Sequence, residues 1–435
     1  MSADLISARR ILALAVPALG ALAADPLLSL VDTAFVGRIG PVPLAALGVD
    51  AAIFSFAFAI FNFLAYATTP LVAQAAGRGD PAEAGRVVQR ALTLAVLIGV
   101  VAMVVLVAGG SLFVRLMQAG PEVVDPAVAY LRLRAFAVPA LLIITAGHGA
   151  YRGFQNTRTP LYITLAVNGL NAVLDPLLIF GAGLGLEGAA IATVIAQWIG
   201  AGVFLLLLRR QGARQGWPGT VPRLGELRPF LAIGGVLIFR TLMLVSALAA
   251  ATAAAARTGT IEVAAHQIVL QLWFLLAMII DALAIAAQAM VGDLVGRGRP
   301  DAARVLSDRL LRWGLGLGIG LAVLFMAIRP WVGGWFSPDQ LVVDAVDIAV
   351  PIAALMQPVA ALVFVLDGVF LGVLAIRLLA GSTTAGFLAM IGGLALTLGL
   401  DWGLAGVWWS VTAMVVTRGL VLGWAYRGWP TVSRA

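Results

Sequence analysis

The 435-residue sequence contains no cysteine and no lysine, and all 28 of its basic side chains are arginine. Without cysteine there is no disulfide framework, no thiolate nucleophile and no cysteine-bearing metal site. Charge of either sign is scarce: 11% of residues are charged and 62% hydrophobic, against roughly 25% and 45–50% in soluble domains. Its 28 basic and 21 acidic side chains are too few to clothe a soluble protein of this length. The chain therefore reads as an integral membrane protein whose main partner is the lipid bilayer. Catalytic signatures are missing too, with no Walker A sequence, no HExxH and no Gly-x-Ser-x-Gly. This argues against an enzyme, against a bound cofactor and against ATP hydrolysis on a phosphate-binding loop, and leaves an ion gradient as the energy source for any transport. The net charge of +7 does not point to nucleic acid, because the arginines are spread over loops between apolar segments rather than gathered in one patch.

A bilayer core needs about 20 apolar residues per helix. Twelve stretches qualify, at 11–36, 44–70, 88–114, 124–150, 159–181, 187–208, 229–256, 262–291, 310–330, 341–371, 373–400 and 402–426. The expected fold is all-α and integral to the membrane. Arg9, Arg10 and the small residues Ala21-Leu22-Ala23 imitate a cleaved secretory signal. Against that reading, apolar sequence resumes from Leu27 to Val36 and the matching repeat segment lies mid-chain.

The longest polar stretch, Arg209 to Arg228, divides the spans six and six. This predicts an N-lobe over 1–208, a cytoplasmic linker over 209–228 and a C-lobe over 229–435. "GRGDPAEAGRV" from Gly77 recurs as "GRGRPDAARV" from Gly296, and "AVPALL" from Ala137 as "AVPIAA" from Ala349. An even number of spans per half gives both copies the same orientation, so the repeats are related by an axis along the membrane normal, with substrate expected between the lobes. If the N-terminus is cytoplasmic, twenty arginines fall on the inner side and six on the outer. That bias sets both termini and both "GRG" loops in the cytoplasm.

Ionisable and amide side chains inside spans are costly and by default mark function. Asp25 and Asp32 are seven residues apart, hence on one face of the first span, where Pro17 and Pro26 each remove a backbone hydrogen bond and invite a bend. Asn168, Asn171 and Asp175 are spaced by three and then four residues, which places two amides and a carboxyl on one face of span five. An interior polar site and helix-to-helix hydrogen bonding both account for that spacing. Thr193 and Gln197 stand one turn apart in span six, where structure and function explain them equally well. At the repeat offset of 219, Asp32 falls on Ala251 and Asp175 on Leu394, so the carboxylate pair belongs to the first half alone. The second half offers Arg240, Asp281 and Asp367, and a structural ion pair of Arg240 with one of the two aspartates is expected. His148 and His266 lack ligand-spaced partners, which leaves them structural. A carboxyl in low dielectric disfavours its charged form, so such a site can hold a proton or a cation in turn.

"LVDTAFVGRIG", the "GRGDPAEAGRV" loop, "AYRGFQNTRTP" from Ala150, "NAVLDP" from Asn171 and "LDGVFLG" from Leu366 together resemble the multidrug and toxic compound extrusion (MATE) family, and within it the branch of the DNA-damage-inducible protein F. The resemblance covers nearly the whole chain. It implies a V-shaped antiporter of two pseudo-symmetric six-helix lobes in the inner membrane of a bacterium. Such a protein expels drugs or other organic, cationic or amphipathic small molecules in exchange for protons or sodium by alternating access. Asp32 then matches the family's coupling residue, and Asn171 and Asp175 its span-five partners, where sodium would also bind. Pro17 matches the bending proline and Thr193 a polar cavity position. Asp25, Asn168 and Gln197 extend the cavity. One chain carries both lobes, so a monomer suffices. The alternative within the same superfamily is a lipid-linked oligosaccharide flippase; a channel or membrane receptor is the alternative from another class.

Because the natural sequence has no thiol, single cysteines report topology without background. Arg78→Cys and Arg299→Cys are expected to react with a membrane-impermeant maleimide from the same, cytoplasmic, side; labelling from opposite faces would overturn the parallel-repeat reading.

Overall fold

The computed structural model describes residues 7–219 and 222–429, and every regular element among them is helical. In chain order these are α1 (Ala8–Gly37), α2 (Pro41–Phe61), α3 (Phe63–Gly77), α4 (Pro81–Leu116), α5 (Pro121–Ala135), α6 (Val138–Gly153), α7 (Arg158–Pro176), α8 (Gly185–Gln215), α9 (Leu224–Thr258), α10 (Thr260–Gly296), α11 (Pro300–Phe336), α12 (Gln340–Gly372), α13 (Ile376–Gly399) and α14 (Gly403–Arg427). Helices dominate because lipid offers the backbone no partner, and only a helix satisfies every N–H and C=O within one segment. Among the described residues eleven spans are long and apolar enough to cross a bilayer, with α2 and α3 forming one of them. A twelfth arises when α5 and α6, bent by 49° to each other, are taken together, which agrees with the twelve spans expected from hydropathy.

The "GRG" repeat has a concrete local cause. Arg78 and Arg297 cap α3 and α10, Gly79 and Gly298 take positive φ of 72° and 67°, and Pro81 and Pro300 open the next helix. A left-handed glycine ends one helix at no steric cost and a proline with preset φ begins the next. Asp80 adds a cap by accepting from the Glu83 N–H at 2.8 Å.

Helix extends into the polar stretch 209–228 from both sides. α8 runs past Arg209, Arg210 and Arg214 to Gln215, and α9 begins at Leu224. Arginine is a good helix former, so the helix continues beyond the apolar segment until Gly216, at φ 67°, turns the chain. Trp217 then stacks on Phe154 at 5.8 Å, and Gln89 Nε2 donates to the Pro218 carbonyl. α1 continues unbroken through Pro17 and Pro26. After Pro176, which has no N–H to give, α7 widens into a π-turn over Leu177–Gly181.

Contacts divide the chain into two compact units, Val16–Gly234 and Met1–Ala15 with Gly235–Ala435. In the first, α6 packs against α3, α4 and α8; in the second, α12 packs against α10, α11 and α14. Small residues make the close approach possible, as expected where lipid supplies no hydrophobic drive between helices. A Cβ on Gly149 of α6 would lie 2.8 Å from Thr68 Cβ and 3.0 Å from the Ala65 carbonyl oxygen of α3. Gly149→Val is therefore expected to destabilise the protein by about 1–3 kcal/mol, read as a lowered thermal midpoint in detergent.

Candidate functional site

Helices of the Val16–Gly234 unit bring polar side chains to one cavity of about 360 Å³, within the range of small-molecule sites. α1 contributes Asp25 and Asp32, α5 contributes Arg134, α7 contributes Asn168 and Asn171, and α8 contributes Thr193 and Gln197. Apolar wall comes from Leu47, Phe54 and Phe58 of α2. The seven-residue spacing on α1 and the turn-by-turn spacing on α7 and α8 thus converge, and every first-half polar residue singled out from the sequence lines the cavity except Asp175, which is buried just behind it.

Asn168 Nδ2 donates to Asp25 Oδ1 at 3.3 Å. Thr193 is satisfied within its own helix, its hydroxyl donating to the Ala189 carbonyl at 3.1 Å. The remaining groups are incomplete. Asp32 Oδ1, both oxygens of Asp175, Asn171 Nδ2 and Gln197 Oε1 are buried with no hydrogen-bond partner among the described residues. Yet the Asp32 and Asp175 carboxyls are near enough to act on each other, and Asn171 near enough to act on Asp175. Two carboxylates in that position repel, whereas one proton between them supplies the missing O–H donor. Each orphaned polar atom costs about 1–3 kcal/mol, so the cluster gains from any proton or cation that completes it.

Three members of this neighbourhood escape sequence reasoning. Asp50 of α2 is fully buried, with neither oxygen partnered. Tyr130 of α5 is buried among the fields of Asp32, Asp50, Asp175 and Arg134. Arg134 stands with its guanidinium 4.6 Å from the Phe54 ring centroid and donates weakly to Tyr130 Oη at 3.5 Å. Asp50, a charge within an otherwise apolar run, was the available signal.

In the other unit, Arg240 of α9 and Arg418 of α14 both pair with Asp367 of α12. Arg240 Nη2 lies 2.6 Å from Oδ2, and Arg418 Nη2 lies 2.9 and 2.6 Å from the two oxygens. This is the structural ion pair expected for Arg240, with Arg418 added to it. Asp281 is half-buried on α10 and does not line the cavity described above. His148 and His266 each meet a threonine hydroxyl, Thr164 at 3.3 Å and Thr252 at 3.2 Å.

The family model MatE matches residues 17–177 and 237–393, nearly three-quarters of the chain. The chain belongs to the MatE family. Among the family's curated members, Protein DETOXIFICATION 44, chloroplastic, of Arabidopsis thaliana is 37% identical over 428 residues, covering 95% of this chain and 81% of that protein. The DNA damage-inducible protein F of Escherichia coli (strain K12) is 29% identical over 415 residues, covering 92% and 88%. A MATE structure in the bent conformation superposes with a TM-score of 0.90 at 20% identity over 99% of this chain and 98% of that one. The fold is that of the MATE transporters, and the protein is a multi-pass membrane protein of that family.

The Asp367 cluster yields a stability prediction. Removing the one carboxylate that compensates two buried guanidinium groups costs about 3–5 kcal/mol; Asp367→Ala is accordingly expected to lower the thermal midpoint in detergent far more than Asp25→Ala does.

Proposed function

We propose that this protein is a secondary antiporter that exports organic, cationic or amphipathic compounds in exchange for protons by alternating access. The observation that carries this reading is the Asp32–Asp175 carboxyl pair, in which Asp32 Oδ1 and both Asp175 oxygens are buried with no donor among the described residues, beside a cavity large enough for a small organic molecule. A single proton satisfies the pair; its departure leaves like charges close together in low dielectric, and the two protonation states therefore favour different local packings of α1 and α7. Coupling follows when the substrate and the proton favour opposite states. Asp25, Asp32, Asn168 and Gln197 give the cavity acidic and hydrogen-bonding walls suited to cations. Sodium is the competing ion, since the same carboxyls with amide oxygens are hard ligands. The arginine bias supports cytoplasmic termini in the inner membrane of a bacterium. One chain holds both units, in keeping with a monomer.

Efflux of a fluorescent organic cation from proteoliposomes is measured under a pH gradient and, separately, under a sodium gradient. Wild type is expected to respond to the pH gradient, and Asp32→Asn to fold and insert but lose coupled efflux at least about a hundredfold, the scale of removing about 2.7 kcal/mol. Efflux undiminished in the well-folded variant would sink the coupling role. A response to sodium alone would replace the proton with sodium, and no transport under either gradient would turn the search to lipid-linked oligosaccharides.

A further inference from the structure

Arg134 is a cation in the wall of a cavity that is otherwise acidic, and its position is unresolved in a physical sense. Its guanidinium rests over Phe54 and reaches Tyr130 Oη at 3.5 Å, but it forms no ion pair with any described carboxylate. A cation–π contact offsets little of the cost of leaving a guanidinium without a carboxylate in a membrane interior. Asp50 has the complementary deficiency. It is 0% exposed, both its oxygens lack a donor among the described residues, and the positive charge of Arg134 acts on it. Asp50 and Phe54 are four residues apart on α2, so their side chains stand on the same flank about one turn apart, some 5–6 Å. The ring over which Arg134 now lies is thus the neighbour of a carboxyl that has no partner. α2 and α5, which carry the two groups, pack directly against each other.

We propose that Arg134 alternates between two seats on α2, the Phe54 ring facing the cavity and the Asp50 carboxylate outside it, and that its seat determines whether the cavity accepts a cation. Seated on Phe54, it places a fixed positive charge in the cavity that Asp25 and Asp32 line, and a cationic substrate meets repulsion. Seated on Asp50, it leaves those carboxylates to the substrate and forms a buried charge-assisted pair. Asp32 and Tyr130 lie within the field of Arg134, which ties the position of Arg134 to the state of the carboxyl pair through Asp32. Asp50 does not line the cavity. It acts through Arg134 and is therefore a positioning residue, whereas Arg134 sets specificity.

The transport consequence rests on the antiport reading, but the pairing does not and is measured without transport. Thermal midpoints of the full-length protein in detergent are compared for wild type, Asp50→Asn, Arg134→Gln and the double variant. A double variant whose midpoint departs by a few °C from the sum of the single effects supports the pairing; additive midpoints overturn it, whether or not the protein transports. Equilibrium binding of tetraphenylphosphonium then reads the seat. Asp50→Asn is expected to weaken binding about tenfold, or about 1.4 kcal/mol, because Arg134 stays in the cavity, and adding Arg134→Gln is expected to restore it. Affinity unchanged by Asp50→Asn, or a loss that persists in the double variant, overturns the alternation.

Discussion

The low dielectric of the bilayer is the constraint on which the rest of this structure depends. It forces the backbone into helices, because no unpaired N–H or C=O is tolerated in hydrocarbon. It also makes every interior charge consequential, because an ion that would be hydrated in water must find a counter-ion, give up its charge or do without. The two units meet this constraint in different ways. Around Asp367 three charged groups pair closely and are complete apart from the Nε atoms of the two arginines. Around Asp32 and Asp175 the polar groups are left short of partners. An arrangement of the first kind holds helices in place; one of the second kind changes when a proton or ion arrives.

Small residues and helix-ending signals translate this constraint into geometry. Glycines such as Gly149 bring backbones close enough for dispersion to hold the helices together. The Gly-then-Pro turns at Gly79 and Gly298 reverse the chain in the few residues that the water-exposed loop allows. The bend between α5 and α6 and the π-turn after Pro176 are local departures from regular helix beside the cavity elements. In both regions a helix that carries cavity residues is joined to a segment of different direction or pitch.

Much of this was legible in the sequence because membrane helices are written in long apolar runs that single charges interrupt. Asp25, Asp32, Asn168 and Asn171 could be placed on shared faces by spacing alone, and all four line the cavity. The same reasoning expected Arg240 to pair with Asp281 or Asp367 but had no means of choosing, since the choice depends on how α9, α12 and α14 cross. Asp50 was passed over although it interrupts an apolar run as Asp32 does, because no polar residue at helical spacing marks its face. Arg134 was counted among the six outer-side arginines that orient the chain, since nothing along its own segment hints that the guanidinium lies over Phe54. Spacing within one helix is readable; a partner on another helix is not.

The carboxylate of Asp367 joins three helices that are far apart along the chain. Because both guanidinium groups grip Oδ2 of the same carboxylate, sliding any one of α9, α12 or α14 past the others by a single turn would strand a buried ion. These three helices consequently share one axial register, fixed from one carboxylate.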